Sequence, residues 1–235
     1  MSTDHSSEAV VAVLREIADP ADVDRVARGF RADSARAEDN QFLGVRPGQV
    51  FKVAKRFTEL PTAEVERLLE SPHYEARLAG VAVMDFQARS KRTTDEHRRA
   101  LFDLYLRRHD RINNWDLVDR AAPHVVGGYL ADKPRDVLYE LARSSNPLER
   151  RTAIVSTYYF IRAGEVEDTF QIAELLVHDD HDLVQKAVGS WVREAGKKDR
   201  ERLLRFLDAH ADAMPRTMLR YATEKLDPET RASYL

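Results

Sequence analysis

The chain has 235 residues, 43% hydrophobic and 33% charged, with 37 Lys and Arg against 40 Asp and Glu and a formal net charge of −3. That length carries a substantial core in one large or two small domains, and the balance excludes a disordered chain. Zero cysteines exclude disulfides and thiolate nucleophiles and argue against iron–sulfur and structural zinc sites.

The opening "MSTDHSS" lacks the basic-then-apolar order of a signal peptide, and no apolar run approaches the roughly 20 residues that span a bilayer. Both point to a cytoplasmic location. "SSEAVVAVLREIA" predicts a first helix, with Ser6 or Ser7 as cap and Val10, Val13, Leu14 and Ile17 on one face. "PADVDRVARGF" predicts a second, with Pro20 in its first turn. Residues 32–46, which contain Gly44, read as a loop, and "PGQVFKVAKRFTEL" restarts a helix that ends at Pro61. No segment alternates with period two, so the fold class is all-α.

The later helices look alike. "SPHYEARLAGVAV", "NPLERRTAIVSTYY" and "DHDLVQKAVGSWV" each begin with a turn-forming residue and reach a small alanine among aliphatics: Ala79, Ala153 and Ala187, with Ala121 in a comparable place. An interval of roughly 30 to 40 residues fits a helix-pair solenoid of the HEAT or armadillo kind. A non-repeating bundle is the alternative.

Charge is uneven along the chain. Residues 1–40 carry five Arg and nine acids, whereas residues 41–111 carry fourteen cations and ten acids. Of the 37 cations 29 are Arg, whose planar fork suits phosphate and surface ion pairs alike. The net negative charge argues mildly against nucleic acid. The partner stays open on charge alone.

Chemistry-bearing residues concentrate in three stretches. In "NNWDLVDRAAPHVVGGYL", Asn113 can cap a helix on which Trp115 and Asp119, four apart, share a face. Asp116 then falls near the third helical position and can complete a capping box. Asp119 lies deeper, as an ion-pair partner for Arg120 or Arg151 or as a functional carboxylate; Trp115 is core or site. In "LERRTAIV", Arg151 borders an apolar stripe, where it can hold a phosphate or neutralise a buried carboxylate. "VQKAVGSWVREAGKK" adds Lys186, Ser190, Trp191 and Arg193, with Gly189 either admitting a close backbone approach or packing two helices tightly. "HDDH" at 178–181 sits at an interhelical turn and lacks the spacing of a helical metal face. "GVRPG" is neither a P-loop nor a dinucleotide fingerprint.

In chain order, "QFLGVRPGQVFKVAK", "NWDLVD", "NPLERRTAIV" and "QKAVGSWVRE" resemble the AlkD-type DNA alkylation repair family, bacterial glycosylases built from HEAT-like repeats. The resemblance covers roughly residues 10–225. It implies a single curved all-α solenoid: a flexible N-terminus at 1–7, a DNA-binding glycosylase domain at 8–226 and a C-terminal tail at 227–235. It implies hydrolysis of the N-glycosidic bond of cationic N3- or N7-alkylated purines in double-stranded DNA by a monomer in the bacterial cytoplasm, without metal, nucleotide or other cofactor. Asp119 would be the catalytic carboxylate, Trp115 an aromatic wall beside the lesion and Arg151 a phosphate ligand. Arg193 and Lys186 would be basic DNA-facing positions and Arg46 a groove-facing one. The family often has Trp directly after the Gly of the QKA-[IV]-G motif. Here Ser190 stands there and Trp191 follows, about 100° further round the helix, so one wall is missing or altered. A noncatalytic binder of damaged or branched DNA and a protein-interaction scaffold are the alternatives.

Overall fold

Ser6 starts the first helix. Its Oγ accepts the Ala9 N–H at 3.2 Å, and α1 (Ser7–Glu16) follows with Val10 and Leu14 fully buried. The computed structural model describes residues 5–30 and 40–235. The expectations for 1–4, and for 31–39 within the expected loop, lie outside the described residues. Asp19 Oδ1 accepts the Ala21 N–H at 2.9 Å, so Pro20–Asp22 form a 3-10 turn into α2 (Val23–Gly29). Among the described residues there is no strand, only an isolated bridge between Gln41 and His73.

The chain gathers into two units, residues 1–129 and 130–235. The first continues with α3 (Pro47–Arg56), α4 (Thr62–Glu70), α5 (Tyr74–Arg89), α6 (Asp95–Arg107) and α7 (Trp115–Ala122). Its centre is α5: of its sixteen residues all but Phe86 and Arg89 are buried, and α1, α3, α4, α6 and α7 all pack on it. Each large apolar side chain buried there contributes about 1.5–3 kcal/mol.

Two boundaries differ from the sequence expectation. α3 stops at Arg56 and not at Pro61, because Phe57 and Leu60 turn into the core and the Phe57 N–H closes back on Ala54 O at 3.0 Å. α7 starts at Trp115 with Asn114, not Asn113, as its cap residue. Asn113 is 8% exposed: its Nδ2 donates to Asn40 Oδ1 at 3.1 Å, and its Oδ1 accepts Arg77 Nη2 at 3.3 Å. A side chain tied into that buried network is not available to cap.

The second unit comprises α8 (Asp136–Ala142), α9 (Pro147–Ser156), α10 (Tyr158–Ala163), α11 (Glu167–Leu175), α12 (Asp182–Gly196), α13 (Arg200–His210), α14 (Arg216–Ala222) and α15 (Pro228–Ala232). Its centre is α12, against which α9, α10, α11, α13 and α14 pack. A Cβ at Gly189 would run into the Met218 carbonyl and Tyr221 Cβ, so this glycine serves tight helix packing. Residues 227–235, expected as a tail, carry α15, capped by Asp227 Oδ1 on the Thr230 N–H at 2.9 Å. The four alanines of the repeat pattern, Ala79, Ala121, Ala153 and Ala187, are all buried, on α5, α7, α9 and α12. Among the described residues no helix is long and apolar enough to cross a membrane.

Candidate functional site

α7 is short and two-faced. Leu117, Val118, Ala121 and Ala122 are buried, whereas Trp115, Asp116, Asp119 and Arg120 are half-buried. Trp115 and Asp119, one turn apart, therefore sit at the surface of the first unit and not in its interior. The Trp115 indole N–H donates to Gly29 O, the last residue of α2, at 3.4 Å.

The first turn of α7 is held from α5. The Tyr74 hydroxyl donates to Asp116 Oδ2, and Asn114 Nδ2 donates to Asp116 Oδ1 at 2.6 Å. Tyr74 is almost fully buried, with its ring 5.7 Å from both Phe30 and Phe42. Burial pushes the Tyr74 phenol above its ordinary pKa, with the Asp116 carboxylate adding to it, so the group stays a donor. Burial likewise holds the Asp116 carboxyl above its ordinary value despite hydrogen bonds from Tyr74, Asn114 and the Leu117 backbone, and the Asp119 charge raises it further. Asp116 thus serves the helix start through Tyr74 and Asn114.

The last turn of α7 is held from the same helix. Asp85, 1% exposed on α5, lies 2.8 Å from Arg120 Nη2, 2.9 Å from His124 Nδ1 and 3.5 Å from Arg89 Nη1. The Arg120 guanidinium sits between the Phe51 and Phe86 rings, 4.6 and 4.7 Å from their centroids. Arg120 is thus committed to Asp85, and α7 runs straight into a π-helical turn at Pro123–Gly127.

The loop before α3 is fixed by Glu75, fully buried, which accepts the Leu43, Gly44 and Val45 N–H groups at 3.0, 2.9 and 3.3 Å. Gly44 has φ of 87°, and a Cβ there would strike the Asp19 carbonyl oxygen. Arg46, expected to face a DNA groove, grips Asp22 with two bonds, Nε–Oδ2 at 2.7 Å and Nη2–Oδ1 at 3.0 Å. That bond holds the Asp22 carboxyl below the ordinary carboxylate range. The Arg46 side chain is still 55% exposed.

In the second unit, Leu183, Lys186, Ser190 and Arg193 follow one stripe of α12. Arg151 on α9 is 7% exposed and donates Nη1 to the Leu183 carbonyl. Lys186 Nζ pairs with Asp182 at 2.6 Å, and Arg193 pairs with Glu224 and with Glu194 at 3.2 Å. Trp191 is half-buried with its ring 5.1 Å from Tyr158, and Arg162 lies over the other ring at 5.9 Å. Ser190 is half-exposed. The "HDDH" turn is structural: Asp179 binds Arg150 at 2.6 Å, and His181 Nδ1 accepts the Leu183 N–H at 3.3 Å as the α12 cap.

Sequence reasoning missed Tyr74, Asp85 and Glu75. Their partners lie far along the chain, 42 residues in the case of Tyr74 and Asp116. A carboxylate in the middle of the largely apolar "GVAVMDFQA" was the available signal for Asp85.

The model of the DNA alkylation repair enzyme family matches residues 10–226. Among solved structures, the chain is similar to a predicted DNA alkylation repair enzyme from Enterococcus faecalis, at a TM-score of 0.66 and 13% identity over 90% of this chain and 97% of that one. At that identity the likeness is one of fold, all-α and HEAT-like. No curated protein matches the chain.

Proposed function

The chain belongs to the DNA alkylation repair enzyme family, and we propose that it is a DNA glycosylase that releases cationic N3- or N7-alkylated purines from double-stranded DNA. The observation that carries this reading is the placement of Trp115 and Asp119 one turn apart at the surface of α7. An alkylated purine is already positive and leaves as a neutral base, taking the electron pair of its bond to the sugar. No general acid is needed. What remains is an oxocarbenium sugar and a water. Ionised Asp119 stabilises the first electrostatically and accepts the proton of the second as its oxygen bonds to the anomeric carbon, leaving an abasic site. The Trp115 face adds cation–π attraction for the charged lesion. A surface carboxylate suits bulky as well as small alkyl groups, because no enclosing pocket has to accept the base.

DNA contacts in this reading fall to Arg46, Arg151, Lys186 and Arg193. Arg46, Lys186 and Arg193 hold carboxylates in the free protein, and a phosphate takes the place of those partners when DNA binds. Arg151 is different: its bond to the Leu183 carbonyl is buried, and a phosphate must come to it. A second reading, a noncatalytic binder of damaged DNA, is favoured by Trp191 packing on Tyr158 while Ser190 occupies the position of the expected wall.

The test is incubation of the protein with methylated duplex DNA and measurement of free 7-methylguanine and 3-methyladenine. Release above the spontaneous rate, with matching abasic sites, supports excision. Binding without release supports the second reading.

A further inference from the structure

α5 touches the candidate site at a point that the excision chemistry does not use. Its first residue, Tyr74, places a buried phenol on Asp116, the residue between Trp115 and the helix interior. The ring is wedged edge-on by Phe30 and tilted against Phe42, each at 5.7 Å, so the hydroxyl has little freedom to follow a moving partner. Phe30 directly follows Gly29, whose carbonyl receives the Trp115 indole N–H. One aromatic cluster therefore fixes both the backbone that Trp115 bonds and the carboxyl of its neighbour. We propose that Tyr74 is a positioning residue for the excision site: by holding Asp116 it sets the first turn of α7 and thereby the orientation of Trp115 and Asp119 toward the lesion. This rests on the excision reading for its catalytic consequence, but not for its structural one.

The physical argument concerns angle and not affinity. Tyr74 is buried and its hydroxyl is committed to Asp116, so it makes no contact with a bound duplex. Removing the hydroxyl leaves the ring in its cluster and the apolar seam of Leu117, Val118 and Ala121 intact, so the helix stays folded. What it loses is the bond that stops the first turn from fraying or rotating, and misplacement of a reacting group by about 1 Å can reduce a rate by roughly 100-fold.

The experiment uses Tyr74→Phe, Asp116→Ala and Asp116→Asn. In Tyr74→Phe the single-turnover excision rate falls about tenfold or more, while affinity for unmodified duplex stays at the wild-type value and far-UV circular dichroism is unchanged. Asp116→Ala shows the same loss, and combining it with Tyr74→Phe adds nothing further, as two members of one interaction require. Asp116→Asn recovers much of the rate, since the amide oxygen still accepts from Asn114 and the phenol can turn to accept from the amide nitrogen. In protein carrying Trp191→Phe, Trp115 is the sole indole, and adding Tyr74→Phe increases its quenching by acrylamide. Unchanged quenching in that pair overturns the proposal even if the wild-type protein releases no base. An unchanged excision rate in Tyr74→Phe, beside an active wild type, overturns it while leaving the glycosylase reading in place.

Discussion

Arg120 reaches across to the buried carboxylate of Asp85 at 2.8 Å, and in doing so ties the residue next to Asp119 to the central helix of its unit. With Tyr74 holding Asp116 three turns earlier on α5, the short α7 is clamped at both ends. Asp119 lies between the clamps.

Removing Asp85 strands a guanidinium between two phenyl rings without its counter-ion. Breaking a buried pair in this way destabilises by about 3–5 kcal/mol, and Arg120 keeps some solvent contact, so Asp85→Ala is expected near the lower bound. Urea unfolding measures it. A loss under about 1 kcal/mol, the range of exposed pairs, contradicts the clamp.

Glu75 satisfies three backbone donors that have no other role than to hold the turn before α3. Glu75→Gln presents an amide N–H₂ to N–H groups and is expected to destabilise by about 2 kcal/mol. Hydrogen exchange at Leu43, Gly44 and Val45 accelerates, while amides within α5 follow the global stability only. Unaltered exchange at those three residues rejects the anchoring role.

Asp116 gives a pH dependence of definite sign. Its folded-state pKa lies above the ordinary 3.8 because burial disfavours the charged form. The native state therefore holds this proton more tightly than the unfolded chain does. Its contribution to stability is complete below 3.8 and is lost as pH rises through the folded-state value. Asp116→Asn cannot titrate. The stability difference between variant and wild type accordingly grows in favour of the variant across that window. A difference that stays flat or shrinks contradicts the assignment.

Arg151 gives a DNA-contact expectation that the salt dependence of binding tests. Loss of one phosphate contact lowers the slope of log affinity against log salt by about 0.9, and Arg151→Ala is expected to do this. The substitution also removes the buried bond to the Leu183 carbonyl, so binding is compared at a temperature where the variant is folded. An unchanged salt slope restricts Arg151 to bridging α9 and α12.

Much of the architecture was readable in advance because it is local. Apolar spacing located the helices, the Ser6–Ser7 pair marked the first cap, which Ser6 supplies, and the buried alanines Ala79, Ala121, Ala153 and Ala187 marked the helices at the packed interfaces. The Trp115–Asp119 spacing alone placed both on one helical face. What periodicity could not show is pairing across distance. Asn113 looked like a cap because a short polar residue before a helix normally is one, yet Arg77 and Asn40 claim it and the helix begins one residue later. Arg46 is a groove-facing position by resemblance alone, and its pairing with Asp22 could not be read from the spacing. Arg120 was, with Arg151, one of two candidate ion-pair partners for Asp119, whereas Arg120 pairs with Asp85, brought close only by the packing of α5 on α7.

The most direct measurement compares release of 7-methylguanine from methylated duplex DNA by the wild-type protein and by Asp119→Asn, which keeps the shape and removes the charge. Wild-type release with nearly complete loss in the variant, both proteins being equally folded and equally able to bind DNA, is the result expected of a carboxylate that stabilises the departing sugar. Equal release by the two proteins would contradict it.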